Sequence, residues 1–164
     1  MELVICIPAR YKSTRLPGKP LLKINNKTII NHVYDRAIQL KKIYKVFDIV
    51  VLTDQENIQK EVDNFGGMCI IINEECLNGT DRIINYLNKY YIRAGISLDN
   101  KIIVNIQGDE PFIDPNNIIK AIDNYIMKKD DIVCSTIHYK TRDEEIIKSK
   151  SKGKLVLDKN NNIM

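Results

Sequence analysis

The sequence predicts an α/β layered domain with a mainly parallel central sheet. Three observations carry that expectation. Short, continuous apolar runs, the pattern of strands buried on both faces, recur along the chain. Stretches with a helical apolar period separate them, and the breaks between the two fall at Gly, Pro, Asn or Asp.

The first strand is Leu3-Val4-Ile5-Cys6-Ile7. A first helix follows from Ile29, Ile30, Val33, Ala37 and Leu40, which share one face at 3.6 residues per turn. Phe47-Asp48-Ile49-Val50-Val51-Leu52 is the second strand. Ile58, Val62 and Phe65 mark the second helix, closed by Gly66-Gly67. Met68-Cys69-Ile70-Ile71-Ile72 adds a strand, and Ile83, Ile84 and Leu87 a third helix. Lys101-Ile102-Ile103-Val104-Asn105-Ile106 is the next strand. A fourth helix starts at Asp114-Pro115, a capping acid before a proline at the first helical position, with Ile118, Ile119, Ile122 and Ile126 on one face. Residues 132–137 read as a further strand and residues 140–154 as a charged surface segment. The chain closes with a strand over 155–157, an Asn-rich turn and two residues of a return. An unpaired edge of that kind is a liability in a sheet, so the reading is a single domain over 1–164 that lacks a C-terminal portion.

The 164 residues suffice for one core, with 44% hydrophobic side chains. The net charge of +4 is local: residues 1–50 hold ten Lys or Arg against three acids, and residues 51–100 four against eight. That asymmetry suits a small anion near the first strand, and argues against a nucleic-acid module, which would show a broad basic stripe. The four cysteines are widely spaced and read as buried small hydrophobes rather than disulfides or a zinc site. No signal peptide or membrane-length apolar run is evident, so the expectation is a cytoplasmic protein with no membrane partner.

The chemistry concentrates at strand ends, where open α/β sheets bind ligands. The loop 8–20 carries Arg10, Lys12, Arg15 and Lys19 without an acid, is stiffened by Pro8, Pro17 and Pro20, and offers close approach at Gly18. Arg10, Arg15 and Lys19 form a candidate polyphosphate site. It is not a P-loop, because Ser13 and Pro20 stand where that motif needs Gly and Ser or Thr. The second segment, Gln107-Gly108-Asp109-Glu110-Pro111, puts two adjacent carboxylates after a buried strand. Either it is a plain turn, or Asp109 holds Mg²⁺ together with substrate phosphates, a coordination that needs few protein ligands. Asn78-Gly79-Thr80-Asp81-Arg82 opens the third helix, where Asn78 or Thr80 is a simple cap or the helix end meets an anion. Thr53-Asp54 reads as a cap for the second helix.

In order and spacing, IPARYKSTRLPGKPL, VVLTD, NGTDR, IVNIQGDEPFIDP and KLVLDKNNN resemble the 3-deoxy-manno-octulosonate (KDO) cytidylyltransferases, the CMP-KDO synthetases, over essentially the whole chain. Pro20 after Lys19 separates it from the sialic-acid cytidylyltransferases, which carry Asn there. The resemblance implies a Rossmann-like, glycosyltransferase-A-like nucleotidyltransferase fold and the reaction of CTP with KDO to give CMP-KDO and pyrophosphate, for lipopolysaccharide or a related glycan. It implies Arg10, Lys19 and Asp109 as catalytic, with Asp109 on Mg²⁺. Pro8, Ala9, Arg10, Arg15, Lys19, Asn78, Gly79, Thr80, Arg82 and Gln107 would bind the nucleotide. Asn78 stands where that family usually has Ser, and Cys76 where His is common. Family members are longer, and their C-terminal portion supplies a second acidic metal ligand, much of the sugar pocket and a homodimer interface. Three readings stay open: the cytidylyltransferase itself, a silent nucleotide-binding remnant or partner subunit, and the same chemistry on another acidic sugar.

Overall fold

In the computed structural model, which describes residues 1–11, 16–150, 152–160 and 162–163, the strands in chain order are β1 (Glu2–Ala9), β2 (Lys23–Ile24), β3 (Lys27–Thr28), β4 (Val46–Thr53), β5 (Met68–Ile71) and β6 (Lys101–Asn105). The helices are α1 (Ile29–Gln39), α2 (Glu56–Asn64), α3 (Gly79–Leu87), α4 (Pro115–Lys128) and α5 (Glu144–Lys148). Two compact units result, residues 1–119 and residues 120–164.

The first unit is built on a four-stranded parallel sheet of order β5-β4-β1-β6. Every residue of β1 from Leu3 to Ala9 is buried, the outcome its unbroken apolar run demands. Its register pairs Ile5 with Ile49 of β4 on one side and with Val104 of β6 on the other. The chain lays down β1, β4 and β5 in one direction, then returns to place β6 on the opposite edge of β1. This reversal creates a topological switch point between β1 and β6, the place at which open α/β sheets bind ligands.

The helices bury the faces their periods predict. Ile29, Ile30, Val33, Ala37 and the following Leu40 are all buried in and after α1, and Ile58 and Val62 in α2. Gly66, with φ of 76°, ends the second helical segment in the left-handed region. The face of α3 differs from expectation. Ile84 is exposed and Tyr86, one turn on from Ile83, is buried, and the π-turn that follows (Asn88–Ile92) brings Tyr91 inward as well. Tyr86 and Tyr91 join Val4, Cys6, Val50, Leu52, Ile72 and Ile83 in one core cluster. Their hydroxyls donate to Asp48 on β4, so the half-buried carboxylate has partners and both phenols are pushed above their ordinary range, chiefly by burial. An antiparallel pair, β2 with β3, turns on Asn25 and Asn26, both at positive φ, a hairpin the sequence reading missed.

Residues 120–164 depart further from expectation. The run 132–137 is not a strand, and Val133 is 94% exposed. Ser135 instead takes a side-chain hydrogen bond from Asn124 of α4, 3.1 Å. The reading of all cysteines as buried is corrected too: Cys6 is buried, Cys69 and Cys76 are half-buried, and Cys134 is exposed. Within the charged stretch a short helix, α5, forms behind an Asp143 cap. The closing hairpin is reduced to one antiparallel bridge, Leu157 with Ile163, on a turn organised by Asp158, which accepts from the backbone of Asn160 and Asn162. Asn161 of that turn lies outside the described residues.

Candidate nucleotide site

Three segments converge at the switch point because glycine lets their backbones touch. Gly108 follows β6, and its N–H donates to the Pro8 carbonyl at 3.2 Å. A Cβ at Gly108 would lie 2.8 Å from that carbonyl oxygen and 2.9 Å from the Cβ of Ala9, so no other residue fits without displacing β1. Gly79, the first residue of α3, packs on the other side of Pro8, where a Cβ would sit 3.0 Å from the proline ring and 3.9 Å from Oε1 of Gln107. Pro8, Ala9, Gly79 and Gln107, proposed from separate motifs, therefore form one neighbourhood.

The basic loop begins at the end of β1 with Arg10, which is exposed. Arg15 lies outside the described residues, as does Lys12. The loop is closed at its base: the Gly18 N–H donates to the Tyr11 carbonyl at 2.9 Å. Gly18 has φ of 70°, and a Cβ there would press on the Tyr11 ring at 3.1 Å. Lys19 then opens a 3₁₀ turn (Lys19–Leu21). Its Nζ lies 2.8 Å from Oδ2 of Asp109, joining residues from two strand-end loops. With side chains 35% and 51% exposed, the pair contributes at most about 1 kcal/mol to stability. Its use is as a cation and an acid presented together to solvent. Glu110 is exposed beside it, and its N–H donates to the Gln107 carbonyl, which makes the turn.

At α3, Asn78 is the N-cap: its Oδ1 accepts from Asp81 N–H at 3.0 Å, while Asp81 Oδ2 accepts from Leu77 N–H at 3.0 Å. Thr80 is exposed on the first turn and is not the cap. Arg82 requires a correction. Expected to meet a nucleotide, it is 6% exposed; its Nη1 donates to the Ile72 carbonyl at 3.3 Å, and its Nη2 lies 3.9 Å from Oδ2 of Asp54. The guanidinium is thus turned toward the chain just past β4 and β5. Asp54 is corrected with it. The N-cap of α2 is Gln55, with no side-chain cap bond, and Asp54 Oδ1 accepts the Tyr11 N–H at 2.9 Å. The sequence signal for this was slight: an acid at the end of a buried strand.

Among the described residues no group of three or more His, Cys, Asp or Glu side chains is placed to hold a metal. Asp109 alone suits an ion that takes its other ligands from water and phosphate oxygens, as Mg²⁺ does. Among the described residues no helix is long and apolar enough to cross a membrane.

A family profile described as Cytidylyltransferase matches residues 4–163. An 8-amino-3,8-dideoxy-manno-octulosonate cytidylyltransferase of Shewanella halifaxensis is 37% identical over 164 residues, which are 100% of this chain and 64% of that protein. One of Shewanella baltica is 34% identical over 161 residues, 98% of this chain and 62% of that protein. Among solved structures, a CMP:2-keto-3-deoxy-manno-octonic acid synthetase complexed with CTP is 38% identical with a TM-score of 0.66, over 80% of this chain and 48% of that one. A cytidylyltransferase of Leptospira borgpetersenii is 26% identical with a TM-score of 0.59, over 79% and 50% of the two chains. A 4-diphosphocytidyl-2C-methyl-D-erythritol synthase, 15% identical with a TM-score of 0.55 over 74% and 53%, shares the fold. The parallel α/β sheet expected from the sequence is thus that of nucleotidyltransferases. The chain spans under two thirds of the curated relatives it matches.

Proposed function

This chain belongs to the cytidylyltransferase family, and on that premise we propose that its strand-end crevice binds CTP and passes the CMP group to a KDO-like acidic sugar. The observation that carries the reading is the Lys19–Asp109 pair at the switch point, next in the chain to Gly108, which packs on Pro8 and Ala9. A cationic edge and one carboxylate are what a metal–triphosphate complex requires.

In the proposed reaction the sugar hydroxyl oxygen forms a bond to the α-phosphorus as the bond to pyrophosphate breaks, and the hydroxyl proton is lost to solvent. Lys19 and Arg10 neutralise charge on the departing pyrophosphate, and the backbone at Pro8 and Ala9 with Gln107 orients the nucleotide. Asp109 would release Lys19 to the phosphates and hold Mg²⁺, whose positive charge would add to that neutralisation. Gly79 lies against Pro8 and near Gln107, and Asn78 and Thr80 flank it in the chain. Arg15, outside the described residues, is assigned to the phosphates from the sequence alone. The relatives' names support either KDO or its 8-amino analogue as the acceptor. The product would serve lipopolysaccharide or a related glycan, in the cytoplasm where CTP is made.

The test is CTP binding and Mg²⁺-dependent pyrophosphate release with each sugar in turn. Release that needs both substrates, falling about a hundredfold or more in Lys19→Ala and Asp109→Asn, supports the reading. CTP binding without release favours a nucleotide-binding partner subunit. Unaltered CTP handling in both variants would sink the site assignment.

A further inference from the structure

We infer that Asp54, backed by the buried Arg82, is a positioning residue that holds the base of the basic loop at Tyr11 and so sets where Arg10 and Lys19 meet a triphosphate. The inference rests on the nucleotide reading above and goes beyond it to residues outside the crevice.

Tyr11 is gripped on both sides of one residue. Its N–H donates to Asp54 Oδ1 at 2.9 Å, and its carbonyl accepts the Gly18 N–H at 2.9 Å. Arg10 precedes Tyr11, and Lys19 follows Gly18. Two hydrogen bonds in series therefore run from Asp54 to the backbone that carries both cations. At the far end, Lys19 reaches Asp109, so the linkage crosses the sheet from the end of β4 to the end of β6. The Cβ-free face of Gly18 lies against the Tyr11 ring, which leaves the loop base little room to shift.

The identity of residue 54 follows from both partners. A carboxylate accepts a backbone N–H more strongly than a neutral group does, and Asp54 keeps its second oxygen for Arg82. Arg82 in turn needs a counter-charge, because an unpaired guanidinium at 6% exposure would be costly. Arg82 is anchored from behind by the Ile72 carbonyl, just past β5, so Asp54 is held rather than free to turn to solvent. A helix cap does not account for Asp54, since α2 begins after Gln55 and takes no side-chain cap bond.

The test compares Asp54→Ala with Asp54→Asn, which keeps an acceptor for Tyr11. Amide exchange at Tyr11 and Gly18 reports the loop base, and affinity for inorganic tripolyphosphate reports the cations without reference to the nucleoside. Asp54→Ala should speed Tyr11 exchange and weaken tripolyphosphate binding, each by about tenfold, with cytidine affinity unchanged; Asp54→Asn, which keeps the acceptor but not the counter-charge of Arg82, should recover part of both. Tyr11 exchange that is unchanged in Asp54→Ala, or no recovery in Asp54→Asn, overturns the inference. If Asp54→Ala does not fold, the wild-type chain decides: a Tyr11 amide exchanging at the rate of an unstructured peptide overturns it, and protection of tenfold or more supports it. Asp54-dependent tripolyphosphate binding without CTP binding would refute the cytidylyltransferase reading and leave the positioning role standing. A wild-type chain that binds neither refutes both.

Discussion

Residues 46–53 and residues 132–137 are both short apolar runs, yet the first is β4, paired on each side, and the second is no strand. Val51 has no exposed surface, whereas Val133 is 94% exposed. The two runs differ less in side chains than in neighbours. β4 meets β1 along most of its length and β5 at its end. Residues 132–137 have no strand beside them among the described residues, and Ser135 bonds to Asn124 instead. An apolar run supplies what a strand buries, but the ladder needs a partner whose backbone groups are free to pair.

Thiol chemistry should show the largest contrast. Burial, with Asp48 nearby, pushes the Cys6 thiol up to about 12, while Cys134 is exposed. Alkylation near pH 8, followed by peptide mass spectrometry, should modify Cys134 roughly a thousandfold faster than Cys6. Comparable rates would mean that β1 opens readily and would break the comparison. The next contrast uses one residue type in both runs. Val51→Ala should cost about 2–3 kcal/mol in urea unfolding, from lost burial and the cavity left behind, and Val133→Ala less than about 0.5 kcal/mol. Equal costs would show that residues 132–137 pack in solution.

Glycines sharpen the same point at smaller scale. Gly108→Ala should destabilise by about 1–3 kcal/mol and weaken CTP binding, because the new methyl meets β1. Gly153→Ala, with nothing within 4 Å, should do neither. The smallest effect concerns pH. Hydrogen bonds from Lys45 and then Lys101 hold the Glu2 carboxyl down to about 2, from 4.5. A lowered folded-state value means that the stabilisation is present above pH 4.5 and is lost as pH falls toward 2. Melting temperatures of wild type and Glu2→Gln should therefore differ slightly at pH 6 and converge near pH 2; a constant gap would remove the ion pair as the cause.

Much of the first unit was legible because its signals are local. Five apolar positions in and after α1, the Gly66 stop and the Asp114-Pro115 start each depend on residues within a turn or two. The candidate site was legible as separate motifs, and the fold shows which of them meet. Pro8, Gly79 and Gln107 come together, and Lys19 meets Asp109. Asp54 was misread as a cap, and the inward turn of Arg82 was not foreseen, because a charged residue on a helix or at a strand end looks alike in sequence whether it faces solvent or a buried counter-charge. Tyr86 was missed although it stands one turn from Ile83, and Tyr91 was missed because a π-turn shifts the helical period on which such readings rest.

By itself the sequence determined the alternation of strands and helices, the basic loop after β1, the acid after β6 and the likeness to KDO cytidylyltransferases, all of which follow from spacing along the chain. Tertiary structure alone decided that β1 lies between β4 and β6, that Lys19 reaches across 90 positions to Asp109, and that Arg82 turns inward to Asp54. Periodicity reports the few residues within one turn or one pleat. Strand order and the pairing of distant charges depend on which side of the sheet each crossover takes and on which buried charge needs a partner, and neither is encoded in any single window of the chain.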